Sequence, residues 1–341
     1  MSEIRYDRMR DTHVIIAPER LHRPDFGTTI ENESLSHACP FCAGNESMTP
    51  PEIFALRDPD TFANEAGWQT RVVPNLYKAV QIETPYKHHY GMNEYWEGFG
   101  AHEVIIDTPN HRTSMRNWNE KEFVDWMKTL GQRVADLRRD NRIAYLSLFK
   151  NEGRDAGATQ AHSHTQLIGL PIIPKEEREG YVRNHEYFKS TGKSLLESIL
   201  MQEEEANIRI VKSYGDFSAF CPYASAYPFE VMIGSKKALG QMDTLSDESV
   251  RQLAALLMAT FKKLERQLGN FHFNLLIATA PLQQDTVGEE VYSHINESSR
   301  FSIRIMPRIY HHGGFEAGTG VIINPVSPEL AAKLLRESRD V

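Results

Sequence analysis

Apolar residues recur every three or four positions in two stretches of this chain, and each stretch predicts an amphipathic helix. The first stretch runs from about Asn119 to Arg138. The second follows Ser246, a residue type that commonly caps a helix N-terminus. The apolar positions are Phe123, Trp126, Leu130, Val134 and Leu137 in the first helix and Val250, Leu253, Leu257, Phe261 and Leu264 in the second.

Short apolar runs before and after these helices predict strands in the same order in both halves. They cover 102–106 with a turn to 111, then 145–149, in the first half, and 229–233, 274–278 and 300–305 in the second. At a constant offset, Glu103, Val104 and Ile106 correspond to Glu230, Val231 and Ile233. The repeated order predicts a duplicated strand–helix–strand unit.

This pattern predicts an α+β fold of two tandem units, each a mainly antiparallel sheet with helices packed on one face. We place the units at 1–195 and 196–341. The chemistry is not duplicated, because Ala238 takes the place of His111 and the second half has no His-x-His. We therefore expect a working first unit and a degenerate, supporting second unit.

Charge and composition narrow the class of protein. A net charge of -8 argues against general nucleic-acid binding, which needs a basic surface. No apolar run is long enough for a membrane span, and the charged start lacks a signal-peptide core. With only three cysteines, we expect a cytoplasmic protein that contacts neither membrane nor nucleic acid.

The segment 153–166 carries the most specific chemistry, with His162, His164 and Gln166 following a glycine-containing turn. Imidazole can ligate a metal, act as a base or attack phosphorus. We interpret His164 as a nucleophile toward an α-phosphorus and Gln166 as an amide donor to a phosphate oxygen. Asn151, Gly153 and Gly157 suit a backbone close to phosphates. The alternative is a polar edge strand that happens to contain two histidines.

Cys39 and Cys42 form a Cys-x2-Cys knuckle, whose spacing suits one tetrahedral zinc. Two further ligands must then come from elsewhere, and His111 and His162 are the candidates. Unrelated thiols and polar histidines, or a redox pair, are the alternatives.

Three further places could bind substrate. Arg20 and Arg23 could clamp a phosphate, although a solvated charged loop is the commoner explanation. Asn75 could contact a ribose hydroxyl or cap a turn. The glycine-rich stretch 313–320 is predicted to be a tight turn near the ligand, with Glu316 available for sugar hydroxyls.

Taken together, these motifs resemble the galactose-1-phosphate uridylyltransferase family, the transferase branch of the histidine-triad superfamily. The resemblance rests on the cysteine knuckle, Asn75-Leu-Tyr, the His111 turn and Asn151-x-Gly-x3-Gly-x4-His-x-His-x-Gln. It covers almost the whole chain and is closest to the plant-type subgroup that acts as ADP-glucose phosphorylase.

The resemblance implies a role for each matching residue. His164 would form a nucleotidyl-histidine intermediate, and Gln166 would stabilise the transferred phosphate. A structural zinc would be held by Cys39, Cys42, His111 and His162. The transferred phosphate would also be contacted by Asn151, Gly157 and Thr159, and the ribose by Asn75. On the sugar side, the phosphate would be bound by Arg20 and Arg23, and the hexose would be contacted by Glu316. Related enzymes are homodimers, so a homodimer is expected.

This chain departs from the family at a second metal site in the C-terminal half. The corresponding stretches, 195–202 and 299–304, lack the needed cysteines or histidines. We therefore predict one zinc per subunit. Arg300 and Arg304 stand where relatives have apolar or metal-binding residues, which predicts a difference on the sugar-phosphate side.

The expected activity is ping-pong transfer of a nucleoside monophosphate, with UMP as the first expectation, between a nucleotide sugar and a sugar 1-phosphate. Adenylyl transfer from an ADP-sugar to phosphate is the alternative. A nucleotide hydrolase of the same superfamily would have a third histidine at Gln166, and glutamine cannot act as a general acid near neutral pH. A zinc-stabilised nucleotide-binding scaffold is the non-enzymatic alternative.

Overall fold

The computed structural model describes residues 2–22, 39–283 and 288–338. The strands are β1 (Glu3–Asp7), β2 (Thr12–Ile16), β3 (Phe54–Arg57), β4 (Trp68–Pro74), β5 (His88–His89), β6 (Tyr95–Trp96), β7 (Ala101–Ile106), β8 (Tyr145–Glu152), β9 (His164–Leu170), β10 (Ile210–Tyr214), β11 (Phe217–Phe220), β12 (Val231–Ser235), β13 (Phe273–Ala278), β14 (Ser302–Pro307) and β15 (Ile322–Asn324). The helices are α1 (Glu120–Leu137), α2 (Lys175–Thr191), α3 (Leu195–Ala206), α4 (Asp247–Leu268), α5 (Glu289–Ser293), α6 (Ile295–Ser298), α7 (Gly314–Thr319) and α8 (Pro328–Glu337).

Ten of these strands form one sheet in the order β10-β11-β12-β14-β13-β8-β9-β7-β4-β3. Every neighbouring pair in it is antiparallel, so the predicted α+β class is confirmed. The two halves of the sheet have the same connectivity, and they meet where β8 pairs with β13. The division of the chain at 195 falls on the first residue of α3 and stays a prediction.

Two helices begin where the sequence predicts, because side chains cap their free N–H groups. Asn119 and Glu122 form a reciprocal capping box at the start of α1. The Ser246 side chain accepts from the backbone N–H of Ser249 at the start of α4. Both helices bury their apolar stripes in one core against the sheet, where the rings of Phe123 and Phe261 stack 6.3 Å apart.

The opposite face of the sheet is less covered, and we call it the open face. Along β8, residues alternate between buried and half-buried positions, as expected where only one face packs on helices. Leu146 and Leu148 belong to the helix-side core, whereas Asn151 lies on the open face. A cleft of about 1640 Å³ extends along part of this face and is lined partly by Ser147, Asn274 and Leu276.

A smaller sheet joins the two ends of the described chain, since β2 pairs antiparallel with β1 and parallel with β15. The predicted tight turn at 313–320 is wrong: this stretch forms α7, which begins after Gly313 and ends at the left-handed Gly320. Within the described residues, no helix combines the length and apolarity that a membrane crossing needs.

Candidate functional site

The four predicted metal ligands come together in space. The ligand atoms of Cys39, Cys42, His111 and His162 all lie within 4.8 Å of one another. The Cys42 Sγ atom is 3.4 Å from His111 Nδ1 and 3.6 Å from His162 Nδ1, and Cys39 Sγ is 3.5 Å from His162 Nδ1. Unrelated thiols and histidines are therefore not the explanation of the knuckle.

These separations fit one tetrahedral zinc ion. Zinc–sulfur bonds of about 2.3 Å and zinc–nitrogen bonds of about 2.0–2.1 Å place neighbouring ligand atoms roughly 3.5 Å apart. Two sulfurs and two imidazole nitrogens are also ligands that zinc prefers. Burial and then the neighbouring Cys39 raise the pKa of Cys42 to about 11, so metal binding would release a proton from this thiol.

His162 is held so that the correct nitrogen faces the cluster. Its Nε2–H donates to the carbonyl of Thr108 at 2.9 Å, which leaves the Nδ1 lone pair for a metal. The side chain is fully buried, and burial lowers the pKa of His162 to about 4. A neutral ring is the form that ligates metal.

His164 lies on β9, an interior strand between β7 and β8, so the edge-strand alternative is wrong. Its Nδ1 is 2.9 Å from the carbonyl oxygen of His162. Because a carbonyl only accepts, Nδ1 carries the proton and Nε2 keeps a free lone pair. Burial, and next the Lys150 ammonium, lower the pKa of His164, which favours this neutral form.

The cysteine knuckle also packs on the histidines. The ring of Phe41, between the two cysteines, lies 5.5 Å from the ring of His164 in an edge-on arrangement and 6.1 Å from that of His162. The metal cluster and the candidate nucleophile therefore form one packed unit.

A buried lysine supports the backbone of this segment from the helix side. Lys150 Nζ donates to Asp107 Oδ2 at 2.8 Å, to Ser163 Oγ at 2.7 Å and to the carbonyl of His164 at 3.0 Å. Neither charged side chain of the Lys150–Asp107 pair is exposed to solvent. Thr165 donates to the other oxygen of Asp107.

Gln166 follows on the same face of β9 and contacts His102 of β7. His102 Nδ1 accepts from the backbone N–H of Ala79 at 3.0 Å, so its proton sits on Nε2. That Nε2 lies 3.2 Å from Gln166 Oε1, which leaves the Gln166 NH2 group free to donate to a ligand.

Asn75 approaches the same histidine nitrogen, with its Nδ2 3.0 Å from His102 Nε2; since both groups are donors in this tautomer, this is a close contact and not a second hydrogen bond. The Asn75 Oδ1 atom accepts from the backbone N–H of Tyr77, so this residue also caps a turn. The structure thus brings Asn75 and Gln166 to one histidine.

The loop after β8 contains the remaining phosphate candidates. Gly157 has a left-handed backbone with φ of 87°. Asn151 lies on the open face, and Thr159 is exposed just beyond the loop. Gly153, which has φ of 83°, could not carry a side chain because a Cβ would lie 1.8 Å from the His272 ring. Its requirement for glycine therefore comes from His272.

Two predicted substrate residues lie elsewhere. Arg20 Nη2 is 3.5 Å from the hydroxyl of Tyr310, and Glu316 accepts from the backbone N–H of Gly313. Burial alone would raise the pKa of Glu316, but backbone donors lower it. Among the described contacts, none joins Arg20 or Glu316 to His164. Arg23 lies outside the described residues.

Arg300 and Arg304 form ion pairs with glutamates. Arg300 donates to Glu197 at 2.6 Å and to the carbonyl of Ser235. Arg304 pairs with the buried Glu230 through its Nε at 2.8 Å.

Sequence reasoning missed the residues that support this site: His102, Lys150, His272 and Asn274. A lysine within a buried strand was a usable signal, because a charge there needs a partner. The other three reach the site because β7 pairs with β9 and β13 pairs with β8, and single-sequence patterns do not reveal such pairing.

The fold and the site together define a class: a duplicated antiparallel α+β sheet with a two-cysteine, two-histidine cluster beside a histidine on a central strand. Residues 1–174 match the model of the galactose-1-phosphate uridyl transferase N-terminal domain. The chain belongs to the galactose-1-phosphate uridylyltransferase family of nucleotidyltransferases.

Individual relatives refine this assignment. The chain is 32% identical to an Arabidopsis thaliana protein named ADP-glucose phosphorylase, over 98% of this chain and 92% of that one. It is 26% identical to the galactose-1-phosphate uridylyltransferase of Thermotoga maritima, over 99% of both. The crystal structure of an ADP-glucose phosphorylase from Arabidopsis thaliana with bound ADP-glucose superposes with a TM-score of 0.81 at 28% identity, covering both chains fully. The predicted family and its plant-type subgroup are confirmed.

Proposed function

We propose that this enzyme transfers a nucleoside monophosphate through a covalent intermediate on His164. The observation that carries the proposal is the hydrogen bond from His164 Nδ1 to the His162 carbonyl. It commits one ring nitrogen and leaves the other as an unprotonated nucleophile. The Gln166 amide two residues along the same face can donate to the phosphate under attack.

The transfer has two displacement steps. His164 Nε2 attacks the α-phosphorus, the bond from phosphorus to the bridging oxygen breaks, and sugar 1-phosphate leaves with the electron pair. An oxygen of the second substrate then attacks the same phosphorus, and the phosphorus–nitrogen bond breaks. The electron pair returns to Nε2, which needs no separate base at either step.

The first candidate donor is an ADP-sugar, with inorganic phosphate as acceptor. Supporting this choice are the 32% identity to a protein named ADP-glucose phosphorylase and the likeness to a relative solved with ADP-glucose. The second candidate is a UDP-sugar with a sugar 1-phosphate as acceptor, supported by full-length similarity to a galactose-1-phosphate uridylyltransferase.

The other site residues take supporting roles in this proposal. Cys39, Cys42, His111 and His162 would hold one zinc ion per chain, whose role is structural: it cross-links the knuckle to the start of β9. Asn151, Gly157 and Thr159 would receive the phosphates, and Asn75 the ribose. Arg20, Arg23 and Glu316 remain candidates for the sugar-phosphate side, and a cytoplasmic homodimer remains a prediction.

The direct test is to incubate the protein separately with ADP-glucose and UDP-glucose and to measure its intact mass. We expect an adduct of one nucleoside monophosphate, larger with ADP-glucose, that is absent in His164→Ala. Adding phosphate should discharge an adenylyl adduct as ADP. If neither nucleotide sugar gives an adduct, the proposal is wrong.

A parallel measurement separates transfer from hydrolysis. With ADP-glucose alone, a transferase stops after one turnover, whereas a hydrolase releases AMP continuously. Steady AMP release without phosphate would favour the hydrolase alternative.

A further inference from the structure

The first half of the chain carries the candidate nucleophile, yet one strand of the second half contacts the loop after β8, residues 153–158, which we call the phosphate loop. This strand is β13, whose Asn274 is the cross-strand partner of Asn151 on β8. The Nδ2 atom of Asn274 lies 2.8 Å from Asn151 Oδ1 and 2.9 Å from the carbonyl oxygen of Ala156. The two halves of the sheet therefore meet at the candidate phosphate site.

These two contacts fix the orientation of both amide groups. The Ala156 carbonyl can only accept, so the atom of Asn274 that faces it must be the NH2 nitrogen. One hydrogen of that NH2 group goes to Ala156. The other points at Asn151, so the Asn151 atom that receives it must be the oxygen.

The oxygen of Asn151 is thereby turned toward Asn274, and its NH2 group is turned away from Asn274 and left to donate. This Nδ2 faces Gly157, where a Cβ would be 3.9 Å away. A pocket that presents an NH2 group suits a ligand whose oxygens only accept, as phosphate oxygens do.

The residue two positions earlier holds the same loop. His272 Nδ1 lies 3.2 Å from the backbone nitrogen and 2.8 Å from the Oδ2 of Asp155. Its ring fills the space beside Gly153 that a side chain would need. Residues 272 and 274 together therefore contact the loop at Gly153, Asp155 and Ala156.

We propose that Asn274 is a positioning residue that sets the amide of Asn151 to donate to the transferred phosphate. The inference rests on the proposed function, because it assumes that Asn151 meets a phosphate. It gives the degenerate second unit a specific task in the reaction of the first.

Substituting Asn274 by alanine and by aspartate tests this role. Aspartate has nearly the shape of asparagine but cannot donate. It would accept from Asn151 Nδ2, rotate that amide and present Asn151 Oδ1 to the phosphate. We expect the rate of adduct formation at saturating nucleotide sugar to fall about tenfold in Asn274→Ala and about 10²- to 10³-fold in Asn274→Asp.

If Asn274 served only packing, the order of the two variants would be reversed, because aspartate matches the shape of asparagine more closely than alanine does. An aspartate variant as fast as the alanine variant would overturn the inference. Asn184→Asp provides the matched control, since Asn184 also lines the cleft and donates to Ser299. It adds the same charge to the same cleft and should leave the rate within about twofold of wild type.

Binding of ADP by calorimetry distinguishes this inference from the proposed function. If wild-type protein forms no adduct but binds ADP, the transfer proposal fails. The inference then predicts that Asn274→Asp weakens ADP binding at least tenfold more than Asn184→Asp does. Equal affinities, or no ADP binding by the wild type, would contradict it.

Discussion

At His164 the proposed chemistry depends on which of two ring nitrogens carries a proton. The His162 carbonyl settles this, because it accepts from Nδ1. His162 in turn donates through its own Nε2 to Thr108. Each imidazole is therefore fixed by its own backbone carbonyl, and the free nitrogen is Nδ1 in His162 and Nε2 in His164. With a single residue between them, one ring lies in the metal cluster and the other keeps its Nε2 available for the proposed reaction.

Gln166 offers the sharpest test of how the transferred phosphate is stabilised. Gln166→Glu keeps the size of the side chain but replaces its N–H donors with a negative charge. We expect nucleotidyl transfer to slow by about 10²- to 10³-fold, the typical effect of removing a donor at an accumulating charge. Single-turnover rates of adduct formation measure this. If the rate of the Gln166→Glu variant stays within a few-fold of wild type, Gln166 does not contact the phosphate.

Lys150 and Asp107 form a buried ion pair, and removing one partner should destabilise the fold more than removing both. In Lys150→Met the buried Asp107 would lose its compensating charge, so we expect the free energy of unfolding to fall by about 3–5 kcal/mol. The double variant Lys150→Met with Asp107→Asn should recover part of this loss, because no uncompensated charge remains. Urea denaturation at neutral pH measures both. Equal stability of the single and double variants would contradict the expectation.

Among the structural elements, the metal cluster joins three segments that are distant in sequence. We expect Cys39→Ser and His111→Ala to lose most of the bound zinc and to slow adduct formation, since the backbone beside His164 would no longer be anchored. Elemental analysis together with intact mass checks this. Cys221→Ser is the control, because Cys221 is buried away from the cluster and should retain zinc. Unchanged zinc in both cluster variants would show that the ligand set is wrong.

In the loop after β8, two reasons for requiring glycine can be separated: a left-handed backbone and the close approach of a neighbouring side chain. Gly153 and Gly157 both have positive φ, but only Gly153 is closely approached by a side chain. We expect Gly157→Ala to destabilise by about 1 kcal/mol and Gly153→Ala by clearly more. Thermal unfolding of both variants measures the difference. The combination Gly153→Ala with His272→Ala should bring the cost back toward that of Gly157→Ala, and failure to do so would contradict the steric explanation.

Helices α1 and α4 and the five strands β7, β8, β12, β13 and β14 could be predicted because their signals are local. Apolar periodicity and an N-cap residue are sufficient to define α1 and α4. The metal ligands could be proposed because thiol spacing restricts the chemistry. The positions of His102 and Asn274 could not be predicted, since each depends on which strand edges pair. The tight turn at 313–320 was wrong because its glycines sit mainly at the ends of a short helix.

For the whole molecule, duplication explains why one sheet can carry a single site. Each half contributes five strands in the same order, and the junction of β8 with β13 brings the second half to the phosphate loop. In the first half, β9 has a histidine and a glutamine, His164 and Gln166, whereas the corresponding strand β14 of the second half has neither. The second half therefore supports the site through the sheet and through contacts such as that of Asn274 with Asn151, without a histidine of its own on the matching strand.

The two ends of the described chain are joined by ion pairs around Glu329 of α8. This carboxylate accepts from Arg5 of β1 at 2.8 Å and from Arg209, just before β10, at 2.9 Å. Burial by itself would raise the pKa of Glu329. Its hydrogen bonds lower this pKa below the ordinary value; the bond from Arg5 has the largest effect, and the bond from Arg209 also contributes. The folded carboxyl thus has a lower pKa than the unfolded one. The pairs therefore stabilise the fold fully above the unfolded pKa and lose this effect as the pH falls through the folded pKa.

Glu329→Gln should consequently lower the melting temperature at neutral pH, and the difference from wild type should shrink as the pH falls below about 4. Melting curves across this pH range measure the effect. Glu337→Gln on the same helix is the control, because Glu337 is mostly exposed and its ion pair with Lys333 is long, at 3.9 Å. A Glu329→Gln difference that persists unchanged in acid would mean that its charge does not hold the ends together.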